Sequence, residues 1–252
     1  MWKKLRILIL LLILLAVALS AYRDQNQNWD RPVVVLLHPI NAQQSNITEQ
    51  YIQQLSARDF DEIKAYLTDE AQKYRSTAPV FYFELGRQLD QLPPQVPEDS
   101  SLLKAMIWSL KFRYYAWQQH KRSDPYANVT LFLNYYDPNE SHTLKHSTAL
   151  EKGRIGSVNL FASQSYAAKN QVVLTHELMH AFGAQDKYDL QNGQPLYPLG
   201  YALPQQQPLY PQRKAELMGG VIPMTETTNR MPEHLGETQM NEATALELGW
   251  LK

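Results

Sequence analysis

No cysteine occurs among the 252 residues of this chain. That absence excludes a disulfide-stapled scaffold, a thiolate zinc site, a cysteine nucleophile and a lipidated N-terminal cysteine. Any metal must therefore be held by His, Asp or Glu. An excess of either charge is missing too, since 24 Lys and Arg face 25 Asp and Glu. Nucleic-acid phosphates demand a strongly basic surface, so nucleic acid is not an expected partner. There is no internal repeat and no adhesion, cell-wall or carbohydrate module. With 44% hydrophobic and 19% charged residues, the chain is a folding polypeptide rather than a disordered tail.

The N-terminus carries Lys3, Lys4 and Arg6 ahead of an unbroken apolar run from Ile7 to Leu19. A basic flank followed by a short apolar core is the outline of an export signal. The uncharged stretch to Tyr22 would reach about 24 Å as a helix, against roughly 30 Å of hydrocarbon. Residues 1–21 therefore read as a cleaved signal peptide, with small residues at Ala16 to Ser20 for processing, or as a retained membrane anchor over residues 5–21. In either case the basic flank stays cytoplasmic and the remainder is exported, to a periplasmic or extracellular compartment. Without those three basic residues, 21 positive side chains face 25 negative ones, a mildly acidic exported domain. Three Asn-x-Ser/Thr triplets, at Asn46, Asn128 and Asn139, are close to the number that composition alone supplies, and we expect none to be glycosylated.

Residues 22–31 are polar and read as a linker, with the domain proper at 32–252. The segment RPVVVLLHPI is a short β-branched strand bounded by prolines. From Asn46, a plausible cap, to about Arg75 the apolar residues recur at helical spacing, as one bent helix or two. VFYFEL (80–85) is a second strand. A proline-broken loop then leads to Ser100 or Ser101, capping a helix to about His120. VTLFLNYY (129–136) and RIGSVNLFAS (154–163) are further strands, and a helix follows from about Tyr166 to Phe182. Strands alternating with helices predict an α/β (α+β) domain with a mixed, mostly parallel sheet. Beyond Asp186 the chain is rich in Pro and Gln, and a long loop of this kind tends to wall a functional site. The chain closes with a helix from about Thr238 to Leu248, stopped by Gly249. The division is an N-terminal subdomain, 32–183, and a loop-rich C-terminal one, 184–252.

The chemically informative stretch is VVLTHELMHAFGAQD, residues 172–186. His176 and His180, four apart on a helix, lie on one face and can bind one zinc ion. Glu177 projects beside that face, where a carboxylate can take a proton from water without occupying a coordination position. Gly183 can adopt the left-handed conformation that ends a helix and turns the chain back, which brings Asp186 within reach as a third ligand. HExxH alone arises by chance in roughly 1% of sequences of this composition, but adding Gly183 and Asp186 lowers that to about one in 50,000. Three protein ligands leave a position open for water, the arrangement of a catalytic rather than a structural zinc.

At these residues the chain resembles the metzincin metallopeptidases, whose extended motif is HExxHxxGxxH, and in particular the HExxHxxGxxD variant of snapalysin-like and immune-inhibitor-A-like peptidases. The match runs from about Thr175 to Gly220. Within it ELMGG (216–220) is similar to the Met-turn, a methionine turn beneath the zinc, here Met218. The resemblance implies a zincin fold with an active-site helix, one catalytic Zn2+ on His176, His180 and Asp186, and a peptide or protein substrate. It also implies an edge strand that binds extended substrate, placed at about Ile155 to Ala162.

From the site follows amide hydrolysis. The bound water has its pKa lowered toward about 7, Glu177 accepts its proton, and Glu177 returns the proton to the leaving amine. Tyr188 is a candidate donor to the oxyanion, with Tyr197 and Tyr201 as rivals. His142 and His146 share the four-residue spacing but lie in SHTLKHST, which lacks apolar periodicity and reads as a solvated loop. His234 is a candidate cleft residue; His38 and His120 carry no pattern. Two other readings stay open. One is a gluzincin-type site in which Glu242, in NEATA (241–245), is the third ligand. The other is an exported zinc-binding protein without activity, which has no use for Glu177.

Overall fold

In the computed structural model, which describes residues 2–97, 101–120, 127–151 and 153–251, the first helix is α1 (Trp2–Gln25). Its apolar side chains at Leu5, Ile7 to Leu12, Leu14, Leu15 and Leu19 are exposed. No helix of the described residues is long and apolar enough to cross a membrane. The segment expected to be a linker is instead packed. Asp24 is buried, and Trp29 inserts among Phe81, Phe182 and Trp250 while its indole N–H donates to the Leu248 carbonyl at 2.6 Å. A tryptophan with an apolar body and one donor suits such a junction.

Strand β1 (Val33–Asn41) is followed by α2 (Asn46–Gln54), a 3-10 turn at Ala57–Phe60, α3 (Asp61–Gln72) and β2 (Phe81–Leu85). The helical stretch is thus two helices. Its cap is Ser45 rather than Asn46, because the Ser45 hydroxyl accepts from the Ile47 N–H. Next come α4 (Leu102–His120), β3 (Val129–Tyr136), β4 (Thr148–Leu150), β5 (Ile155–Phe161) and α5 (Ala167–Ala181). Of the two expected caps of α4, Ser100 lies outside the described residues. The sheet order is β2-β1-β3-β5-β4, parallel throughout except for the antiparallel β4. The domain is mixed α/β with a mostly parallel sheet.

Parallel strands need cover on both faces, and β1 and β3 are accordingly buried along almost their whole length. One face carries Leu37, Leu131, Leu133 and Val158 against Ile52, Ile63, Leu67, Leu174 and Leu178 from α2, α3 and α5. On the other, Ile40, Phe132 and Ile155 pack against Trp108, Phe112 and Tyr115 of α4. Residues 184–251 do not form a separate core: Leu217, Met218, Leu235, Met240, Leu248 and Trp250 join the first cluster.

Two expectations change here. The strand at 155–161 is interior, paired with β3 on one side and β4 on the other, so the edge strand is β4, with Ala149 opposite Gly156. Three residues following a polar loop are too short to show a period of two. The C-terminal helix, α6, spans only Glu242–Glu247, because Thr238–Gln239 pairs in parallel with Ala215–Glu216 and Asn241 caps the helix by accepting from the Thr244 N–H.

Candidate metal centre

Helix α5 presents His176 and His180 one turn apart, their rings 4.6 Å between centroids and nearly perpendicular. Each Nδ1 faces a backbone carbonyl, Leu217 O at 3.0 Å from His176 and Ala184 O at 2.7 Å from His180. A carbonyl can only accept, so each Nδ1 carries the hydrogen and each Nε2 offers its lone pair when the ring is neutral. The two Nε2 atoms lie 3.0 Å apart, and Asp186 Oδ1 lies 3.2 and 3.1 Å from them. Three corners of a tetrahedron with bonds of about 2.0–2.1 Å would be about 3.3 Å apart. The donor set therefore fits a small divalent cation such as Zn2+ held by two nitrogens and one carboxylate. No other trio of His, Asp and Glu among the described residues converges in this way.

The helix ends where the sequence requires it to. Gly183 has φ +102°, its N–H donates to the His180 carbonyl, and the Ala184 N–H reaches back to Met179. The reversed chain delivers both the Ala184 carbonyl that orients His180 and the carboxylate of Asp186. Gly183→Ala should cost about 1–3 kcal/mol through backbone strain. A Cβ there meets only the end of the Glu151 side chain, at 3.3 Å, so strain and not collision sets the loss. Urea unfolding would measure it, and a change below a few tenths of a kcal/mol would contradict the assignment.

Asp186 is held from both sides. The N–H of Gln185 and the Nζ of Lys187 both donate to Glu247 Oε2, at 3.0 and 2.6 Å, while the Lys187 N–H donates to the Met218 carbonyl at 2.8 Å. Met218 itself is fully buried in a 3-10 turn, Leu217–Gly219. That turn is pinned by Glu216, which accepts from the Gly219 N–H at 2.9 Å and the Thr244 hydroxyl at 2.6 Å. Gly219 in turn crosses the backbone of Gly200 so closely that a Cβ would lie 2.4 Å from its carbonyl oxygen. Both supports thus run to α6. We expect Glu247→Ala to weaken zinc binding about 10- to 100-fold with the donors themselves intact, and Glu247→Gln, which keeps an acceptor, to recover part of it. Competition titration with a chromogenic chelator reads this directly.

Glu177 is 7% exposed, and its Oε2 has no hydrogen-bond partner among the described residues. Burial raises its pKa against the pull of His176 and His180. The same two imidazoles act on Asp186: desolvation is the largest influence and opposes ionisation there, but their hydrogen bonds and charges together outweigh it and hold the carboxyl well below the usual range. On His176 burial is the largest influence and disfavours the charged form, but the Asp186 hydrogen bond, the charge of Glu177 and the Leu217 carbonyl together outweigh it and raise the pKa. Tyr188 packs its hydroxyl against Asp186, and burial together with that carboxylate pushes it up to about 12. It stays protonated at neutral pH as a donor.

These groups floor a cleft of about 690 Å³, walled by His146 to Ala149 on one side and by Tyr188, Asp189, Leu190 and Gly193 on the other. His146 was expected in a solvated loop and in fact lines the cleft. The Asn159 amide donates to the Lys145 and His146 carbonyls, and the Asn159 N–H donates to the Ser147 hydroxyl, which lays this segment along the sheet edge. An asparagine inside a strand was the available signal. The remaining expectations fall elsewhere. Tyr197 and Tyr201 bond to Pro204 and Tyr210 away from the cleft, and His234 is an exposed residue preceding a 3-10 turn. His142 is exposed, and His38 is buried with Nδ1 on the Arg87 carbonyl. Glu242 is exposed at the start of α6 and does not join the histidines.

No protein-family profile matches the chain. No curated protein matches it either. One similar solved chain comes from the structure of a chaperone-substrate complex, with a TM-score of 0.39 and 14% identity over 87% of this chain and 38% of that one. The chain spans well under half of that relative, and likeness at this level carries no argument about fold or function.

Proposed function

We propose that the chain is an exported zinc-dependent endopeptidase of the metzincin type, with His176, His180 and Asp186 as ligands and Glu177 as general base. The observation that carries this reading is the convergence of three donors within 3.2 Å beside a buried carboxylate whose Oε2 is unpartnered. Zinc bound there would acidify water and polarise the scissile carbonyl. The Glu177 carboxylate, which lines the cleft beside the trio, would take the proton of the attacking water and pass it to the leaving amine. Tyr188 stands at the cleft wall, where its hydroxyl can donate to the oxyanion. As the terminal strand beside the cleft, β4 offers an extended peptide a place as a further strand. The ligand trio includes Asp186 and not Glu242, which favours this reading over a gluzincin site. The unpartnered Glu177 oxygen, of no use for holding metal, favours it over a passive zinc binder.

The test is metal analysis joined to an activity assay. Protein purified without added metal should contain one zinc per chain, and a strong chelator should abolish hydrolysis of an unfolded protein such as casein, with zinc restoring it. Unchanged metal content in His176→Ala, or hydrolysis that survives chelation, would overturn the assignment.

A further inference from the structure

Helix α4 covers the sheet with one side only. Trp108, Phe112, Tyr115 and Ala116 recur at helical spacing and are buried on it. The opposite side carries Leu103, Met106, Ile107, Leu110, Tyr114 and Trp117, all between 44% and 66% exposed. Spaced three and four apart, they form one continuous apolar stripe about four turns long. The helix contains no acidic residue. Lys104 and Lys111, seven apart, share one border of the stripe, and Arg113 lies on the other.

Beside that first border, Pro94, Gln95 and Pro97 form a groove of about 330 Å³ with Lys104, Ile107, Trp108 and Lys111. The Trp108 indole donates to the Pro94 carbonyl at 2.8 Å and fixes that wall. Two ammonium groups thus stand at the rim of an apolar floor. The border of the stripe also lies near the C-terminal end of the exposed apolar helix α1. Asp24, at its C-terminal end, accepts from the Gly153 N–H at 2.9 Å, and Arg113 of α4 packs over Gly153.

We infer that the outer face of α4 is a membrane-docking surface that lies in the interface of a bilayer containing anionic phospholipid. An apolar face rimmed by cations, with Tyr114 and Trp117 toward one end, matches the chemistry of an interfacial helix. The lysine-rimmed groove suits an anionic headgroup, and the Asp24–Gly153 contact places this face where α1 leaves the domain. The inference is independent of the zinc assignment.

Because the chain has no cysteine, one introduced cysteine gives one labelled site. Full-length Leu110→Cys carrying an environment-sensitive fluorophore is mixed with vesicles of phosphatidylcholine containing 30% phosphatidylglycerol and a lipid-borne quencher. The label at residue 110 should shift to the blue and be quenched, while the same label on exposed Glu226→Cys should not. Lys104→Glu with Lys111→Glu should lower the docked population on the order of five-fold or more per charge, and raised salt should act in the same direction. Equal quenching at the two positions, or none at residue 110 while the chain sediments with the vesicles, would overturn the inference. So would a disulfide-linked pair of Leu110→Cys chains as the main oxidation product, since a second copy would then cover the face.

Discussion

Glu177→Gln is expected to retain zinc at full stoichiometry and to lose activity by about 100- to 10,000-fold. The two side chains are almost isosteric, and Glu177 forms no part of the trio that would hold the metal. What changes is the proton affinity of one atom. Glu177 Oε2 is enclosed and has no hydrogen-bond partner among the described residues, so the substitution breaks no hydrogen bond at that atom. Burial dominates its electrostatics and raises its pKa, while His176 and His180 oppose the shift. A carboxylate poised in this way accepts a proton from water and gives it up again; an amide does neither. The loss should therefore fall on kcat, with KM for a peptide substrate nearly unchanged. Metal content and turnover part company in this variant, and circular dichroism verifies that the fold is kept. Turnover within a factor of a few of the parent would remove Glu177 from the mechanism, and loss of zinc would make it a ligand instead.

What the sequence made legible depended on how local the signal was. The strands at 33–41 and 129–136 are short, mostly apolar runs rich in β-branched and aromatic residues, and the HExxHxxGxxD spacing places its residues within three turns of helix and one glycine-ended reversal. Those features are set by neighbours in the chain. The edge strand was misplaced because Thr148–Leu150 becomes a strand only through pairing with Ile155–Ser157. His146 was missed because its position rests on Asn159, thirteen residues away. The buried supports of the site are more distant still. Neither the reach of Glu247 to Gln185 and Lys187 nor that of Glu216 to Thr244 has any period or motif. The linker expectation failed for a related reason: Trp29 finds its partners 52 to 221 residues further along.

Asp186→Ala and Glu242→Ala distinguish the two ways of completing the ligand set. In this structure Asp186 Oδ1 is 3.2 and 3.1 Å from the two histidine Nε2 atoms, whereas Glu242 is exposed in the first turn of α6. Removing the Asp186 carboxylate takes away one of three donors and the only anion among them. Removing a group that only hydrogen-bonds to a ligand costs about 10- to 100-fold in affinity, so losing a direct ligand should exceed 100-fold, with hydrolysis falling in parallel. The chain around residue 186 should hold its course, because Gln185 and Lys187 remain tied to Glu247 and Met218. Glu242→Ala removes a favourable negative charge from a helix N-terminus, an effect of about 0.3–1 kcal/mol on stability, and should leave zinc affinity within about two-fold. A gluzincin-type site predicts the opposite pair of results. Competition titration against a chelator of known affinity, on both variants after folding is verified, reads the difference directly. Parental zinc affinity in a folded Asp186→Ala protein would eliminate the ligand set proposed here, and with it the resemblance drawn from HExxHxxGxxD.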